Sequence, residues 1–179
     1  KLTDLSHMGF ASGSWLGAEM RVLRASFSGE LAFELHCRPA IVEALWQALI
    51  DAGMQPYGLE ALDVLRVEKG YLTSSEINGQ TSPDDLGLGA MVKLGNPCIG
   101  RALLDRPGLH SEHRYVLTGV KSQLPLQQFH CGAQLTQTAD SSQSFGYVSS
   151  VVFSPVLEQW VGLALIERRH CVEGAKLVA

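Results

Sequence analysis

Long apolar runs, excess positive charge and cysteine are scarce or absent in this chain. No apolar stretch approaches the ~18 residues of a membrane-spanning helix, and the N-terminus shows no signal-peptide pattern. A net charge of −4 gives no general attraction to nucleic acid or to anionic membranes. Four cysteines in 179 residues suggest free thiols in a reducing compartment rather than a disulfide framework. We therefore expect a cytoplasmic protein with neither a nucleic-acid partner nor a membrane partner.

Nucleotide and metal motifs are missing as well. The chain contains no GxGxxG and no P-loop, so it shows no nucleotide-phosphate fingerprint. Three His-Cys dipeptides occur, at His36-Cys37, His130-Cys131 and His170-Cys171. Neighbouring residues on a strand point to opposite faces, so none of these pairs could chelate a metal by itself. The pattern favours ordinary strand thiols over a structural zinc site, and we predict no metal.

The overall composition is that of a globular protein. Hydrophobic residues make up 46% of the chain and charged residues 18%, which is typical of a folded rather than a disordered sequence. The length suits one substantial domain or two small ones. The chain begins at Lys1 and its first methionine is Met8. We therefore expect a fragment, either an excised domain or a processed product.

The central stretch runs from Arg21 to Cys37 and reads as two strands joined by a tight Ser28-Gly29 turn. In the second arm, the apolar residues Leu31, Phe33 and Leu35 alternate with Ala32, Glu34 and His36. The period of two places Glu34 on the face opposite the apolar residues. A carboxylate in that position either meets solvent or binds a group that needs a carboxylate.

Two helices are predicted after this hairpin. Ala40 to Ala52 has one apolar face, and Leu59 to Lys69 is apolar on almost every side, which predicts a largely buried helix. Arg66 lies within the second helix, on its apolar surface. A buried arginine needs an anionic partner. Asp63, three residues earlier, is one candidate partner, and the carboxylate of a ligand is the other.

The second half of the chain has short strand-like runs in place of long helices. Ser82-Pro83-Asp84-Asp85 predicts about one helical turn, and Ile99 to Leu104 a short helical piece between Gly95-Asn96-Pro97 and Arg106-Pro107-Gly108. Five short strand-like runs follow: Tyr115 to Val120, Ala133 to Thr136, Ser144 to Val152, Trp160 to Glu167 and Ala175 to Val178. Their spacing predicts a small antiparallel barrel or sandwich. The fold class is therefore α+β, with a domain boundary near residues 106–113.

Several motifs in order carry a family resemblance. SFSGELAFELH, DAGMQPYGLEALDVLRVEKGY and TSPDDLGLGAMVKL resemble the aminomethyltransferase family typified by the glycine-cleavage T-protein. EKGY and TSPDDLGLG are especially similar to the C-terminal folate-binding portion of the sarcosine oxidase alpha subunit. GYVSSVVFSPVLEQWVGLALIE resembles the barrel segment of the same family. The resemblance covers nearly the whole chain, from about Asp4 to Val178.

The resemblance implies a fold and a cofactor. It implies a ferredoxin-like α/β domain at residues 1–106, incomplete at its N-terminus, followed by a small antiparallel β-barrel domain at residues 107–179. It also implies tetrahydrofolate as the cofactor. Glu34 matches the second glutamate of the family pattern Y/F-x-G-E-x-G-Y/F-E, which binds the pterin edge. Arg66 matches the arginine of LRxExG and would shape the cavity or meet the acidic tail of folate. Phe27 and Tyr71, within SFSGE and EKGY, are further candidate folate-binding residues.

The chain also departs from the family pattern. Phe27 replaces the common tyrosine, Ala32 replaces a glycine, and the loop at residues 73–80 lacks the usual GQD or YGxD wording, which leaves the placement of its carboxylate open. The family's catalytic aspartate lies in an N-terminal portion outside this chain, so no catalytic residue is assigned here. We predict that the chain alone is catalytically silent.

Three functions remain open at this point. In the first, the chain is part of a sarcosine oxidase-like oxidoreductase that captures an amine-derived one-carbon unit as 5,10-methylenetetrahydrofolate. Flavin and NAD would bind outside this chain, and other subunits of a hetero-oligomeric oxidase would be partners. The second is a non-catalytic folate-binding relative, whose KGCYxGQ-like signature is absent because Lys69-Gly70-Tyr71 has no cysteine. The third is a scaffold domain without a ligand.

Overall fold

The structure is a computed structural model that describes residues 2–92, 95, 97 and 99–179. The chain divides into two compact units, of which the first ends at Tyr71 and the second runs from Leu72 to Ala179. The division reflects how densely the residues pack within each unit. The domain boundary expected between residues 106 and 107 stays a prediction.

The first unit combines one small sheet with two helices. After a 3-10 turn at Leu2–Asp4, its elements are β1 (Phe10–Trp15), β2 (Ala18–Leu23), β3 (Glu34–Cys37), α1 (Pro39–Asp51) and α2 (Leu59–Lys69). The strands form an antiparallel sheet in the order β1-β2-β3. Pro39 occupies the first turn of α1, where its missing N–H leaves no hydrogen bond unmade. Gly70 ends α2 in the left-handed conformation, with φ of 75°.

A two-residue turn joins β1 to β2. Trp15 pairs with Ala18, which leaves Leu16 and Gly17 as the two central residues. Both have positive φ, 50° at Leu16 and 76° at Gly17. Positive φ at both positions matches the right-handed twist of the flanking strands. Glycine adopts it freely, whereas the side chain of Leu16 makes it strained.

The predicted central hairpin is present, but its arms are shorter than expected. Strand pairing stops at Leu23 and resumes at Glu34, so the connection has ten residues rather than a tight turn. Gly29 does lie in the bend, with φ of 83°. Its backbone N–H donates to Ser26 Oγ at 2.9 Å. The serine side chain satisfies a backbone donor locally, and this competes with continued strand pairing.

Helix α2 begins and ends where the sequence predicted, but its predicted burial is wrong. Only Arg66 and Val67 are buried, whereas Leu59 is 84% exposed. The apolar residues of the helix meet too few neighbours in the first unit to be covered on every side. Helix periodicity identified the helix correctly and overstated how much of it is enclosed.

The second unit is built on a four-stranded antiparallel sheet. Its regular elements are a 3-10 turn at Gly89–Met91, α3 (Arg101–Leu104), a 3-10 turn at Pro107–His110, β4 (Tyr115–Lys121), β5 (Gln134–Leu135), β6 (Gly146–Ser154), β7 (Gln159–Glu167) and a 3-10 turn at Arg168–His170. The strand order is β4-β7-β6-β5, and the sheet curls into a half-barrel. The predicted α+β class with an antiparallel barrel-like part is confirmed. The predicted run Ala175 to Val178 is reduced to one bridge, between Thr136 and Val178.

The core of the second unit lies against β6 and β7. Its buried cluster consists of Leu135, Phe145, Val148, Ala164 and Ile166. A register shift between Val148 and Ser150 interrupts the pairing of β6 with β7. Such a bulge inserts one extra residue into a strand and re-aims the side chains beside it.

The described part of the chain contains three free cysteines and no grouping of side chains that suits a metal ion. Cys37, Cys131 and Cys171 are free thiols. Cys98 and Asn96, which the sequence analysis also considered, lie outside the described residues. Within the described ranges, no three His, Cys, Asp or Glu side chains are grouped so that they could hold a metal ion. None of the helices in the described part is long and apolar enough to cross a membrane.

Candidate functional site

The sheet of the first unit has one covered face and one open face. Directly paired residues of antiparallel strands share a face, so the pairings determine which side chains lie together. The covered face carries buried Val22 and the half-buried Leu35 and Cys37. The open face carries Phe10, Ser12, Ser14, Glu19, Arg21, Leu23, Glu34 and His36. Glu34 is therefore on the face opposite Leu35, as the alternation of the sequence predicts.

Glu34 is an accessible carboxylate at the start of β3. Its side chain is 57% exposed, and Oε2 lies 3.2 Å from Nε2 of His36. The paired residue on β2 is Leu23, which is half-buried. Oxygen Oε1 of Glu34 has no hydrogen-bond partner within the described part of the chain. The carboxylate can therefore accept two or more hydrogen bonds from a molecule on the open face.

Arg66 is buried and has an internal partner. Its side chain is 6% exposed, and its Nε donates to Oδ1 of Asp63 at 2.6 Å. Of the two partners considered from the sequence, the structure forms the intrahelical one. The Arg66 guanidinium also reaches the backbone carbonyl of Tyr71 at 3.5 Å, while the N–H of Tyr71 donates to the carbonyl of Arg66 at 2.8 Å. Arg66 and Tyr71 are thus fixed together where α2 ends.

Phe27 lies in the connection between β2 and β3 and is 46% exposed. The same connection packs on α2, because a Cβ added to Gly29 would collide with the aliphatic chain of Lys69. The structure therefore brings the loop of Phe27 to the end of the helix that carries Arg66 and precedes Tyr71. Glu34 makes its side-chain hydrogen bond to His36 and none to these three residues in the described structure.

Glu76 is a carboxylate that the sequence analysis did not identify as a site residue. It lies in the loop at residues 73–80 and is fully buried in the second unit. Its Oε2 accepts from the backbone N–H and the hydroxyl of Thr73, at 2.9 and 3.1 Å. Its Oε1 lies 2.7 Å from the hydroxyl of Ser149 and 2.6 Å from that of Ser150. The loop wording left this carboxylate unplaced, and no spacing rule links Glu76 to serines more than 70 residues away.

The bulge in β6 explains how two consecutive serines reach the same oxygen. Successive strand residues normally point to opposite faces of a sheet. Ser149 lies at the register shift, outside the regular pairing, and both Ser149 and Ser150 are buried. Their hydroxyls consequently converge on Glu76 and join the loop to β6. The arrangement leaves no open side of Glu76 for a ligand, because its side chain is fully enclosed.

Asp85 is the second buried carboxylate of this unit. Its Oδ2 accepts from the backbone N–H of Ser82 at 2.9 Å and from its hydroxyl at 2.8 Å, and it pairs with Arg114 Nη2. Burial alone would raise the pKa of Asp85, but hydrogen bonds from Arg114 and Ser82, with the charge of Arg114, hold it below the ordinary value of 3.8. Asp85 is therefore an ionised anchor for the turn after Ser82, which the sequence predicted.

The exposed and buried carboxylates differ in what they can do chemically. Glu76 and Asp85 have their acceptor sites taken by groups of the chain itself. Glu34 retains free acceptor capacity on an open surface. A carboxylate with two accessible oxygens suits a ligand edge that presents two adjacent N–H donors.

Comparison with known proteins agrees with the motifs. Residues 1–96 match the family model of the GCVT N-terminal domain. The chain is 42% identical to the sarcosine oxidase subunit alpha of Rhizobium meliloti (strain 1021) over 165 residues. This alignment covers 88% of this chain and 17% of that protein. It is 32% identical to an aminomethyltransferase of Halothermothrix orenii, over 98% of this chain and 50% of that protein.

A solved structure shows the same fold. The glycine cleavage system aminomethyltransferase T from Bartonella henselae superposes with a TM-score of 0.76 at 24% sequence identity, covering 98% of this chain and 48% of that one. The predicted T-protein fold is thereby confirmed. The chain spans about half the length of these aminomethyltransferases. With more than half of its residues matched by the family model, the chain belongs to the GCVT family, the family of the aminomethyltransferases.

Proposed function

We propose that this chain is the folate-binding part of a sarcosine oxidase-like enzyme, in which tetrahydrofolate captures an amine-derived one-carbon unit as 5,10-methylenetetrahydrofolate. The observation that carries the proposal is the accessible carboxylate of Glu34 on the open face of the first unit. The 42% identity to a sarcosine oxidase alpha subunit supports this enzyme class over a free-standing aminomethyltransferase. Catalysis depends on an aspartate that family resemblance puts outside this chain, so the chain alone is inactive.

Glu34 fits the pterin group of folate. The amino-pyrimidine edge of a pterin carries adjacent N–H donors, and an ionised carboxylate accepts on both oxygens. Oε1 of Glu34 is free within the described structure, and Oε2 shares one contact with His36. Glu34 would therefore hold the pterin by its edge. When bound, tetrahydrofolate supplies the nitrogen atoms that accept the one-carbon unit.

Arg66 fits a supporting position better than direct contact with folate. Its side chain is 6% exposed and already pairs with Asp63. By joining the end of α2 to Tyr71, it fixes the backbone on which the loop of Phe27 packs. We assign Arg66 to shaping the folate site, and the exposed ring of Phe27 to contact with the ligand. Tyr71 is half-buried and would line the same region.

The proposal also covers partners and location. Flavin and NAD would bind to parts of the enzyme outside this chain, and other oxidase subunits would complete it. The three described cysteines are free thiols, which suits a cytoplasmic enzyme. The substrate amine would be selected where the flavin binds.

Titration of tetrahydrofolate into the natural-length protein by calorimetry tests the proposal. Glu34→Gln keeps the size of the side chain and removes one charged acceptor, so we expect affinity to fall at least about ten-fold. Glu43→Gln on α1 is the matched control, since Glu43 is also exposed, and its affinity should equal that of the wild type. Wild-type binding without catalytic turnover would indicate a non-catalytic folate-binding relative. Absence of binding to the wild type would leave the ligand-free scaffold.

A further inference from the structure

We propose that His36 is a positioning residue for the Glu34 carboxylate, which it holds in the orientation that a ligand on the open face of the sheet needs. The inference rests on the proposed function, because it concerns the same ligand at the same carboxylate. The two side chains are two residues apart on β3 and share the open face of the sheet. Nε2 of His36 lies 3.2 Å from Oε2 of Glu34.

The contact between His36 and Glu34 has a defined geometry but contributes little to the stability of the fold. The side chains of His36 and Glu34 are 56% and 57% exposed. An exposed pair of this kind contributes only about 0–1 kcal/mol to stability. A role in folding therefore does not account for the pair. Its effect falls on the orientation of the carboxylate, because an N–H bound to Oε2 holds the carboxylate plane in one place.

The other charged groups near His36 are occupied or lie outside the strand. Arg21 is the residue directly opposite on β2, and its guanidinium is 3.3 Å from Glu19 Oε1. Arg38 follows β3 two residues after His36 and is exposed. In the described sheet, β3 is an edge strand with β2 as its neighbour. Glu34 is consequently the carboxylate within hydrogen-bond distance of His36, and His36 is its partner.

The contact with His36 leaves Glu34 able to bind a ligand. Each carboxylate oxygen has about two lone-pair sites, so a ring N–H of His36 that donates to Oε2 still leaves room for a ligand with two N–H donors. Without that N–H, the exposed carboxylate would be free to rotate away from the orientation that the ligand needs. Ligand affinity should therefore depend on a hydrogen-bond donor at position 36.

Two substitutions test the hydrogen-bond donor at position 36. Gln at this position keeps a neutral N–H donor of similar reach, whereas Ala removes the donor. His36→Ala should bind tetrahydrofolate about three-fold more weakly than the wild type. His36→Gln should keep wild-type affinity. The control His7→Gln, which removes an exposed histidine elsewhere in the first unit, should also keep it.

The titrations use the natural-length protein, with His7→Gln and Glu34→Gln measured beside the two His36 variants. Unchanged affinity of His36→Ala would overturn the inference about His36. Equal losses of affinity in His36→Ala and His36→Gln would also overturn it, because the donor would then not be what matters. If Glu34→Gln loses affinity while the His36 variants behave as wild type, only this inference fails. If Glu34→Gln binds as tightly as wild type, the proposed function itself fails.

Discussion

Two glutamates, one in each compact unit, occupy opposite environments. Glu34 lies on an open sheet face with its side chain 57% exposed and one neighbouring histidine. Glu76 is fully buried and accepts hydrogen bonds from Thr73, Ser149 and Ser150. The first glutamate has acceptor capacity that no group in the described structure uses, and the second is satisfied by the chain. The contrast separates a carboxylate available to a ligand from one that stabilises the fold.

The surroundings of the two residues differ in the same way. In the second unit, the buried carboxylate of Glu76 joins its loop to β6, and that of Asp85 joins the turn after Ser82 to Arg114, directly before β4. In the first unit, the open sheet face has polar and apolar side chains with few internal contacts. Buried polar groups are costly unless they are hydrogen-bonded, so each one of them marks a fixed point of the fold. An exposed carboxylate in a strand has no such requirement and can take part in binding.

The largest predicted effect follows from removing Glu76. Glu76→Ala leaves the buried hydroxyls of Ser149 and Ser150 and the N–H of Thr73 without this acceptor. We expect the free energy of unfolding to fall by about 3 kcal/mol, measured by urea denaturation. Glu34→Ala, at an exposed carboxylate, should change it by less than about 0.5 kcal/mol. Equal losses for the two variants would remove the distinction between the residues.

A smaller effect is expected at Asp85. Asp85→Asn removes the charge that pairs with Arg114, whose side chain is 24% exposed, and should lower the free energy of unfolding by about 2 kcal/mol at pH 7. Because the pKa of Asp85 is lowered in the folded chain, its ionised form adds stability above pH 3.8, and this is lost as the pH falls through the lowered pKa. The difference between wild type and Asp85→Asn should therefore shrink below about pH 4. A constant difference across that range, in denaturation curves recorded from pH 7 to 3, would contradict this assignment.

The smallest effect is expected in the turn between β1 and β2. Leu16 has φ of 50° and is 67% exposed, so it carries backbone strain without burying its side chain. Leu16→Asn should raise the free energy of unfolding by about 0.5 kcal/mol, because asparagine tolerates positive φ better. Thermal denaturation of the variant measures the gain. Leu16→Val, with a β-branched side chain, should lower the free energy of unfolding. An increase in that variant would contradict the claim that the backbone at Leu16 is strained.

Local patterns predicted the regular elements well. Leu59–Lys69 was identified with both ends, since apolar periodicity and Gly70 are local signals. The four strands of the half-barrel were each found within a few residues, because alternation and turn residues mark them. The hairpin arms were overestimated, since the hydrogen bond from Gly29 to Ser26 replaces strand pairing. Exposure of Leu59 could not be read from periodicity, which gives no information on what covers a helix.

The site residues show the same limit. The open-face position of Glu34 followed from strand alternation, and Asp63 as a partner of Arg66 followed from helix spacing. Glu76 could not be identified in this way. Its partners Ser149 and Ser150 are distant in sequence, and they converge only because of the bulge in β6. Long-range convergence of this kind is a property of the tertiary fold.

Ligand-induced thermal stabilisation tests the division between Glu34 and Glu76 most directly. A ligand that binds the folded state raises the melting temperature, and the rise grows with the logarithm of the ratio of ligand concentration to Kd. The natural-length wild type, Glu34→Gln and Glu76→Gln would be melted with and without tetrahydrofolate. We predict that Glu34→Gln melts as the wild type without ligand and gains little with it, whereas Glu76→Gln melts lower but gains as much as the wild type. A full ligand-induced gain in Glu34→Gln would contradict the assignment of Glu34 to folate.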